Sequence, residues 1–226
     1  MSQDATFERD GFKHFPQAVD ESALNRLTAL FGGASAAGAR LTAAALDPIA
    51  DLISRAGAIG QVASELCDRP PFAVRAILFD KQPEMNWSLD WHQDRTINVA
   101  ERIEQTGFDH WTVKQGLLHV EPPPSVIAQM VTLRVHLDDV PQDNGPLRVL
   151  PGSHLLGRLP EGDIETLAVR VGEFGCLAKC GDVWAYRTAI VHASSSVANG
   201  HGNRRVLQLD FACDDLDPPL RWAMKL

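Results

Sequence analysis

A mainly β body, a sandwich or closed barrel preceded by a helical cap, is the fold class that this sequence predicts. Three observations carry it. Apolar residues in the first 70 positions recur with a helical period, the period changes to two after Arg69-Pro70-Pro71, and short alternating segments separated by Gly or Pro then continue to residue 211. The 226 residues fall within the ~200–250 that one sandwich or barrel occupies, so a single domain is expected, with 1–70 as cap and 71–226 as body.

Within the cap, residues 21–31 place Leu24, Leu27, Leu30 and Phe31 on one helical face, and residues 47–67 do the same with Leu52, Ile53, Ile59, Val62 and Leu66. Residues 32–38 form a small-residue connector between them. Strands are expected at 72–79, 87–94, 128–137, 147–150, 167–171, 176–179, 183–186 and 205–211. Residues 95–125 fit neither period: a short helix at 99–105 would run into Gly107, Gly116 and Pro122-Pro123-Pro124. Connections of ~30 residues inside a compact domain are usually functional, so this one is expected to act as a lid.

Composition narrows the partners. Hydrophobic residues make up 45% and charged residues 22%, as in an ordinary globular domain. With 21 Lys and Arg against 29 Asp and Glu the net charge is −8, which repels phosphate backbones and argues against nucleic acid, and no basic cluster is evident along the chain. Cys67, Cys176, Cys180 and Cys213 form no CxxC pair, the N-terminus lacks a signal-peptide layout, and no run of ~18 apolar residues occurs. A cytoplasmic protein without membrane association is expected.

In a strand, residues i and i+2 point the same way, so His92-Gln93-Asp94 brings an imidazole and a carboxylate to one point. An Fe(II) oxygenase centre needs two neutral histidines and one carboxylate, with positions left open. His192, after the turn and strand of Gly181-Asp182-Val183-Trp184 and before the small residues 193–196, is the natural third ligand. A second HxD, His136-Leu137-Asp138, offers the same spacing, and either histidine could equally be a core residue of its strand. Thr132, Arg134 and His136 share a polar face suited to line a pocket, and strand alternation at the C-terminus sets Arg204, Val206, Gln208 and Asp210 opposite Arg205, Leu207, Leu209 and Phe211. The apolar row wants a core, which leaves the row of Arg204 to face the polar interior.

Phe7-x-x-Asp10-Gly11-Phe12, Trp91-His92-Gln93-Asp94, Asp143-Asn144-Gly145-Pro146-Leu147, Pro151-Gly152-Ser153-His154, Gly181-Asp182, His192-Ala193-Ser194 and Arg204-Arg205 occur in that order over nearly the whole chain. Together they resemble the phytanoyl-CoA dioxygenase family of Fe(II)- and 2-oxoglutarate-dependent oxygenases. The resemblance implies a double-stranded β-helix, a cupin-like jelly-roll barrel. It also implies that the metal-binding HxD is the one before the DNGPL segment, so that His92, Asp94 and His192 hold Fe(II) and Arg204 grips the distal carboxylate of 2-oxoglutarate, with Ser194 facing the same way. The implied activity is hydroxylation of a small organic substrate by O2, with 2-oxoglutarate converted to succinate and CO2; the alternative is a metal- or ligand-binding jelly roll without turnover. Halogenation would require a small residue in place of Asp94. Arg95, Trp111 and Arg134, and on the lid His119, are the candidates for substrate contact. His154 is expected to fix the PGSH turn, and His14, His110, His119 and His201 have no partner at metal spacing.

Overall fold

The computed structural model describes residues 5–33, 38–82, 86–197 and 203–226. In chain order the cap region contains α1 (Ala5–Asp10), β1 (Phe12–Phe15), α2 (Glu21–Ala29), β2 (Gly38–Leu41), α3 (Ala43–Leu46), α4 (Ala50–Ile53) and α5 (Ala58–Leu66). The body continues with β3 (Phe72–Lys81), β4 (Leu89–His92), β5 (Ile97–Asn98), β6 (Asp109–Lys114), β7 (Leu117–Glu121), α6 (Pro124–Ala128), β8 (Val131–His136) and β9 (Leu147–Val149). It ends with α7 (Glu161–Val171), β10 (Phe174–Cys176), β11 (Val183–Arg187), β12 (His192–Ser194) and β13 (Arg204–Ala212).

The strands form a six-stranded sheet in the order β1-β11-β8-β13-β3-β2, a four-stranded sheet β10-β9-β12-β4 and a three-stranded sheet β5-β7-β6. All pairings are antiparallel. One face of the large sheet, with Leu133, Val135, Val183, Ala185, Leu207, Leu209 and Phe211, packs on Leu27, Leu46, Ile49, Ile53 and Ile59 of the cap. Its other face meets the four-stranded sheet through Leu147, Val149, Trp184, Tyr186 and Ile190. The apolar row of β13 thus lies against the cap, and Arg204, Gln208 and Asp210 are buried on the opposite side. Among the described residues no helix is long and apolar enough to cross a membrane.

The cap is less purely helical than its sequence suggests, because β1 and β2 extend both edges of the large sheet. The Asp20 side chain caps α2 by accepting the Ala23 N–H at 2.8 Å. The expected helix over 47–67 is broken between α4 and α5, where a Cβ on Gly57 would sit 2.0 Å from the Asp51 carbonyl oxygen. Of the connector at 32–38, residues 34–37 lie outside the described residues.

Two expectations for the body are corrected. Residues 167–171 are the end of α7, not a strand: Glu161 and Asp163 favour the helix N-terminus, and Ile164 and Leu167, three apart, bury against Leu150 and Val191. The alternation that mimics a strand leaves Val169 89% exposed. Residues 95–125 are not an irregular connection either, since they contain the whole three-stranded sheet, with a tight β6–β7 turn at Gln115 and Gly116, both at positive φ (52° and 77°). Ile97, Val99, Phe108 and Val120 of this segment bury against Leu216, Leu220 and Trp222. That partner lies a hundred residues away, beyond the reach of local periodicity.

At the start of β11 the buried Asp182 carboxylate ties three segments together. It accepts the Gln17 N–H at 2.9 Å, the Lys179 N–H at 2.8 Å and the His14 Nε2 proton at 2.9 Å. Burial pushes this carboxyl up, but the bonds from Lys179 and Gln17, with those of His14, more than offset it and leave it below the ordinary 3.8. Asp182→Ala should therefore cost about 1.5–3 kcal/mol in urea unfolding at neutral pH. A group with a depressed folded pKa stabilises fully above its unfolded value and loses that contribution as pH falls through the folded one. The gap between wild type and variant should accordingly narrow below pH 3.8; a gap independent of pH would remove ionisation from the explanation.

Candidate metal centre

Strands β4 and β12 are neighbours, and their pairing sets His92 directly opposite His192, with ring centroids 4.3 Å apart. Asp94 follows two residues beyond His92, just past the end of β4. One ligand atom from each of the three residues lies within 4.8 Å of the others. His92 Nδ1 lies 2.6 Å from the Asp90 carbonyl and His192 Nδ1 lies 3.0 Å from that of Ile190. A carbonyl only accepts, so both Nδ1 atoms carry the proton and both Nε2 lone pairs are free. Burial, with His92 adding to it, pushes His192 down to about 4, so its ring is neutral near pH 7. Burial opposes ionisation of Asp94, but Arg75 foremost, then the two histidines, hold it down to about 2. Two imidazoles, each turned so that Nε2 is the atom left for a ligand, and one carboxylate on one side of a cavity fit a divalent transition metal with open positions.

The residue between the two HxD ligands anchors them. Gln93 donates from Nε2 to the carbonyls of Ala189 at 2.7 Å and Gly157 at 2.9 Å, and its Oε1 accepts the Leu159 N–H at 2.9 Å. Ser153 of the PGSH turn accepts the N–H of Val191, next to His192, at 2.9 Å. His154 packs its ring onto Gly11, where a Cβ would come within 2.3 Å of Nδ1, so the expected turn-fixing role coincides with a clamp on the N-terminal motif. Behind Asp94 stands Arg75, whose Nη2 bonds Asp94 Oδ2 at 3.0 Å, Nη1 the Thr96 carbonyl at 3.0 Å and Nε the buried Asp210. Sequence reasoning passed over Gln93 and Arg75. The signal available for Arg75 was a cation on an otherwise apolar strand, sharing its face with Ile77, Phe79 and Lys81.

A second group of charges adjoins the histidines. Lys81, also missed, is fully buried and donates from Nζ to the Ser195 carbonyl at 2.6 Å and to Ser194 Oγ at 3.3 Å. Across the β3–β13 pair it faces Arg204, which donates to the Gly145 carbonyl. Gly145 has φ +56°, and a Cβ there would lie 2.5 Å from the Ser195 oxygen, which explains the glycine of the DNGPL segment. Burial, then Arg204 and Arg134, push Lys81 down to about 7. Burial and then Arg134 likewise act against the charge on Arg204. Arg134 bonds Gln208 Oε1 at 3.2 Å and lies over the Phe79 ring at 5.0 Å. None of the three cations pairs with a carboxylate among the described residues. By contrast Arg205 points away and pairs with Asp138 at 2.6 Å.

His92, Asp94 and His192 open on a cavity of about 790 Å³ that is also lined by Arg75, Ile77, Phe79, Arg95 and Arg134. Arg95 and Arg134 are thus in the cavity, with Arg95 Nη2 bonded to the Leu159 carbonyl at 2.7 Å. Trp111 is not: it packs on the cluster around Ile97 and Trp222 with Arg102 over its ring. His119 is buried beneath the small sheet and bonds the Leu117 carbonyl through Nδ1. The second HxD diverges, because Asp138 is taken by Arg205 while His136 is buried with neither ring nitrogen hydrogen-bonded. His14 serves Asp182, His110 is exposed on β6, and His201 lies outside the described residues.

The profile of one protein family, described as Phytanoyl-CoA dioxygenase (PhyH), matches residues 7–206. No curated protein matches the sequence. Solved structures do. The epimerase SnoN in complex with Fe3+, alpha ketoglutarate and nogalamycin RO is 19% identical, with a TM-score of 0.67 over 98% of this chain and 93% of that one. EctD from S. alaskensis with bound Fe is 19% identical, with a TM-score of 0.68 over 95% of this chain and 78% of that one. AviO1 from Streptomyces viridochromogenes Tue57 is 22% identical, with a TM-score of 0.63 over 95% of this chain and 94% of that one. At these identities the likeness establishes a shared fold, the jelly roll with its supporting helices.

Removing Arg75 would leave the buried Asp210 and the half-buried Asp94 without their shared cation. Arg75→Ala should cost about 3–5 kcal/mol in denaturant unfolding and weaken Mn(II) or Co(II) binding about 10–100-fold by calorimetric titration. Unchanged metal affinity in a folded variant would mean that Asp94 is held in place without it.

Proposed function

Because the chain belongs to the phytanoyl-CoA dioxygenase family, we propose that it is an Fe(II)- and 2-oxoglutarate-dependent dioxygenase that hydroxylates a small organic substrate, using O2 and releasing succinate and CO2. One observation carries this reading: the His92, Asp94 and His192 donor set shares its cavity with the buried Arg134, and Lys81, bonded to Ser194 on the strand of His192, sits opposite Arg204 behind it, all three cations lacking a carboxylate partner among the described residues. Buried cations without counter-charge are costly, and a dicarboxylate bound beside the metal supplies what they lack. The structures of SnoN in complex with Fe3+ and alpha ketoglutarate and of EctD with bound Fe support the same metal, and the former the same co-substrate.

In this reading His92 Nε2, His192 Nε2 and Asp94 hold Fe(II), which supplies the activation of O2 coupled to decarboxylation of 2-oxoglutarate. Arg204 offers a planar fork to the distal carboxylate, a better match than a point charge, and Lys81 and Ser194 add donors from the neighbouring strands. Arg75 keeps Asp94 ionised, so that the site retains its anionic ligand at any physiological pH. Ile77 and Phe79 form an apolar wall that excludes water beside the metal. The position a halide would need is taken by the Asp94 carboxylate, which supports hydroxylation over halogenation. The four free cysteines support a reducing compartment, the cytoplasm.

Purified protein given Fe(II), 2-oxoglutarate and O2 should release succinate, and His92→Ala or His192→Ala should abolish that release without unfolding the domain. A wild type that binds Mn(II) but releases no succinate with any substrate in a metabolite screen would support the non-catalytic jelly roll instead. Arg204→Ala should cost roughly 3–5 kcal/mol of co-substrate binding, about two to four decades in the apparent 2-oxoglutarate constant. Arg205→Ala should leave that constant in place. A large loss confined to Arg205→Ala would reverse the assignment of the two faces of β13.

A further inference from the structure

The sequence shows no basic cluster in a chain of net charge −8, yet the fold assembles one. Arg40 of β2 and Lys114 at the end of β6 line the main cavity together with Arg75, Arg95 and Arg134. The last three are engaged: Arg75 with Asp94 and Asp210, Arg95 with the Leu159 carbonyl, Arg134 with Gln208. Arg40 and Lys114 are not. Among the described residues neither side chain forms an ion pair, and Arg40 Nε is buried with no hydrogen-bond partner.

Their juxtaposition is built by a specific contact. Gln115, in the β6–β7 turn, accepts the Arg40 N–H through Oε1 at 2.8 Å and donates from Nε2 to the Gly38 carbonyl at 2.8 Å. The side-chain amide imitates a pairing strand, covers the free edge of β2 and fixes the end of β6 against it. Burial, and secondarily Arg75, act against the charge on Arg40; burial, and secondarily Arg40, act against that on Lys114. Asp94 is the carboxylate whose charge reaches both, and it is already committed to Arg75 and the histidines. The other acids of the cavity, Asp90, Glu161 and Glu165, are solvent-exposed on β4 and α7, where water screens them.

A half-buried guanidinium held beside an ammonium with no counter-charge is retained where a ligand provides that charge. We infer that Arg40 and Lys114 receive an anionic group, a carboxylate or a phosphate, of the organic substrate, with Ile77 and Phe79 contacting its apolar part. The assignment of this anion to the substrate rests on the oxygenase reading of the cavity. Arg40 suits either oxyanion through its fork, and Lys114 adds a mobile point charge at the exposed rim.

NMR titrations with benzoate, phenyl phosphate and benzamide test this, run with and without Mn(II) and 2-oxoglutarate on wild type, the double variant Arg40→Gln with Lys114→Gln, Lys114→Glu and Arg204→Ala. Wild type should bind at least one of the anions about tenfold more tightly than benzamide, and the better anion separates a carboxylate from a phosphate substrate. The double variant and Lys114→Glu should lose this preference, and Arg204→Ala should keep it. Lys114 is exposed, so its charge reversal reads the site even where the double variant unfolds. Equal binding of benzamide, or a preference that survives in both lysine variants, overturns the inference. A preference lost only in Arg204→Ala does the same, since the anion would then occupy the co-substrate position. Failure of the oxygenase reading would appear separately, as absent succinate release and absent metal-dependent 2-oxoglutarate binding.

Discussion

Arg75 is the charge on which the interior depends. A polar barrel interior can hold ionised groups only if their charges balance, because each unpaired charge in a low-dielectric space costs several kcal/mol. One guanidinium bridges Asp94 and Asp210, and Asp210 in turn accepts the Thr132 hydroxyl at 3.0 Å, so the carboxylate of the donor set is connected by hydrogen bonds to the middle of the large sheet. Lys81, Arg134 and Arg204, on the same inner face, have no such acid. The contrast separates an acid-bearing part of the inner face, held by Arg75, from a cationic part without an acid among the described residues.

The residues that make the sequence recognisable are mostly mechanical. Gln93 pins the segment bearing two ligands to residues 157–159 and 189, Ser153 pins the strand bearing the third, and Gly145 lets residues 195–196 approach the carbonyl that Arg204 uses. Gly11 makes room for His154, and Asp182 joins the first strand to β11. A ligand set of three residues gains its geometry from backbone carbonyls and amides many positions away. Their spacing in the chain reflects the topology that returns those strands to one another.

Legibility followed the range of the interactions involved. The period of two in residues 72–79 and 205–211, and the split of β13 into an apolar and a polar row, are local properties, and the structure has both. His92, Asp94 and His192 could be picked out because motif order supplied what spacing left open between the two HxD sequences. Lys81 stayed hidden because its partner lies more than a hundred residues away, and Arg75 because it joins Asp94, nineteen residues on, to the distant Asp210. Residues 95–125 looked irregular for the same reason: their strands are short, and their core is completed by the chain near Trp222. Residues 167–171 misled in the opposite sense, since three apolar residues at alternate positions outweighed the acidic start and the buried Ile164 and Leu167 of a helix. Trp111 was assigned to the cavity by its chemistry, while its ring served to hold the small sheet down.

The direct pairing of His92 with His192 across two strands has a consequence for which substitutions the fold can absorb. Opposed residues of an antiparallel ladder are held about 4.5–5.5 Å apart at Cα by main-chain hydrogen bonds, so the backbone separation of the two imidazoles is set by the ladder, with Gln93 and Ser153 holding the flanking segments. Arg40 and Lys114 sit on a different sheet edge and a hairpin, Ile77 and Phe79 on a strand of the opposite sheet. Substitution at those walls can therefore reshape the cavity while the two histidines stay opposite each other. Such a layout separates the parts of the fold that shape the cavity wall from the ladder that positions the donor set.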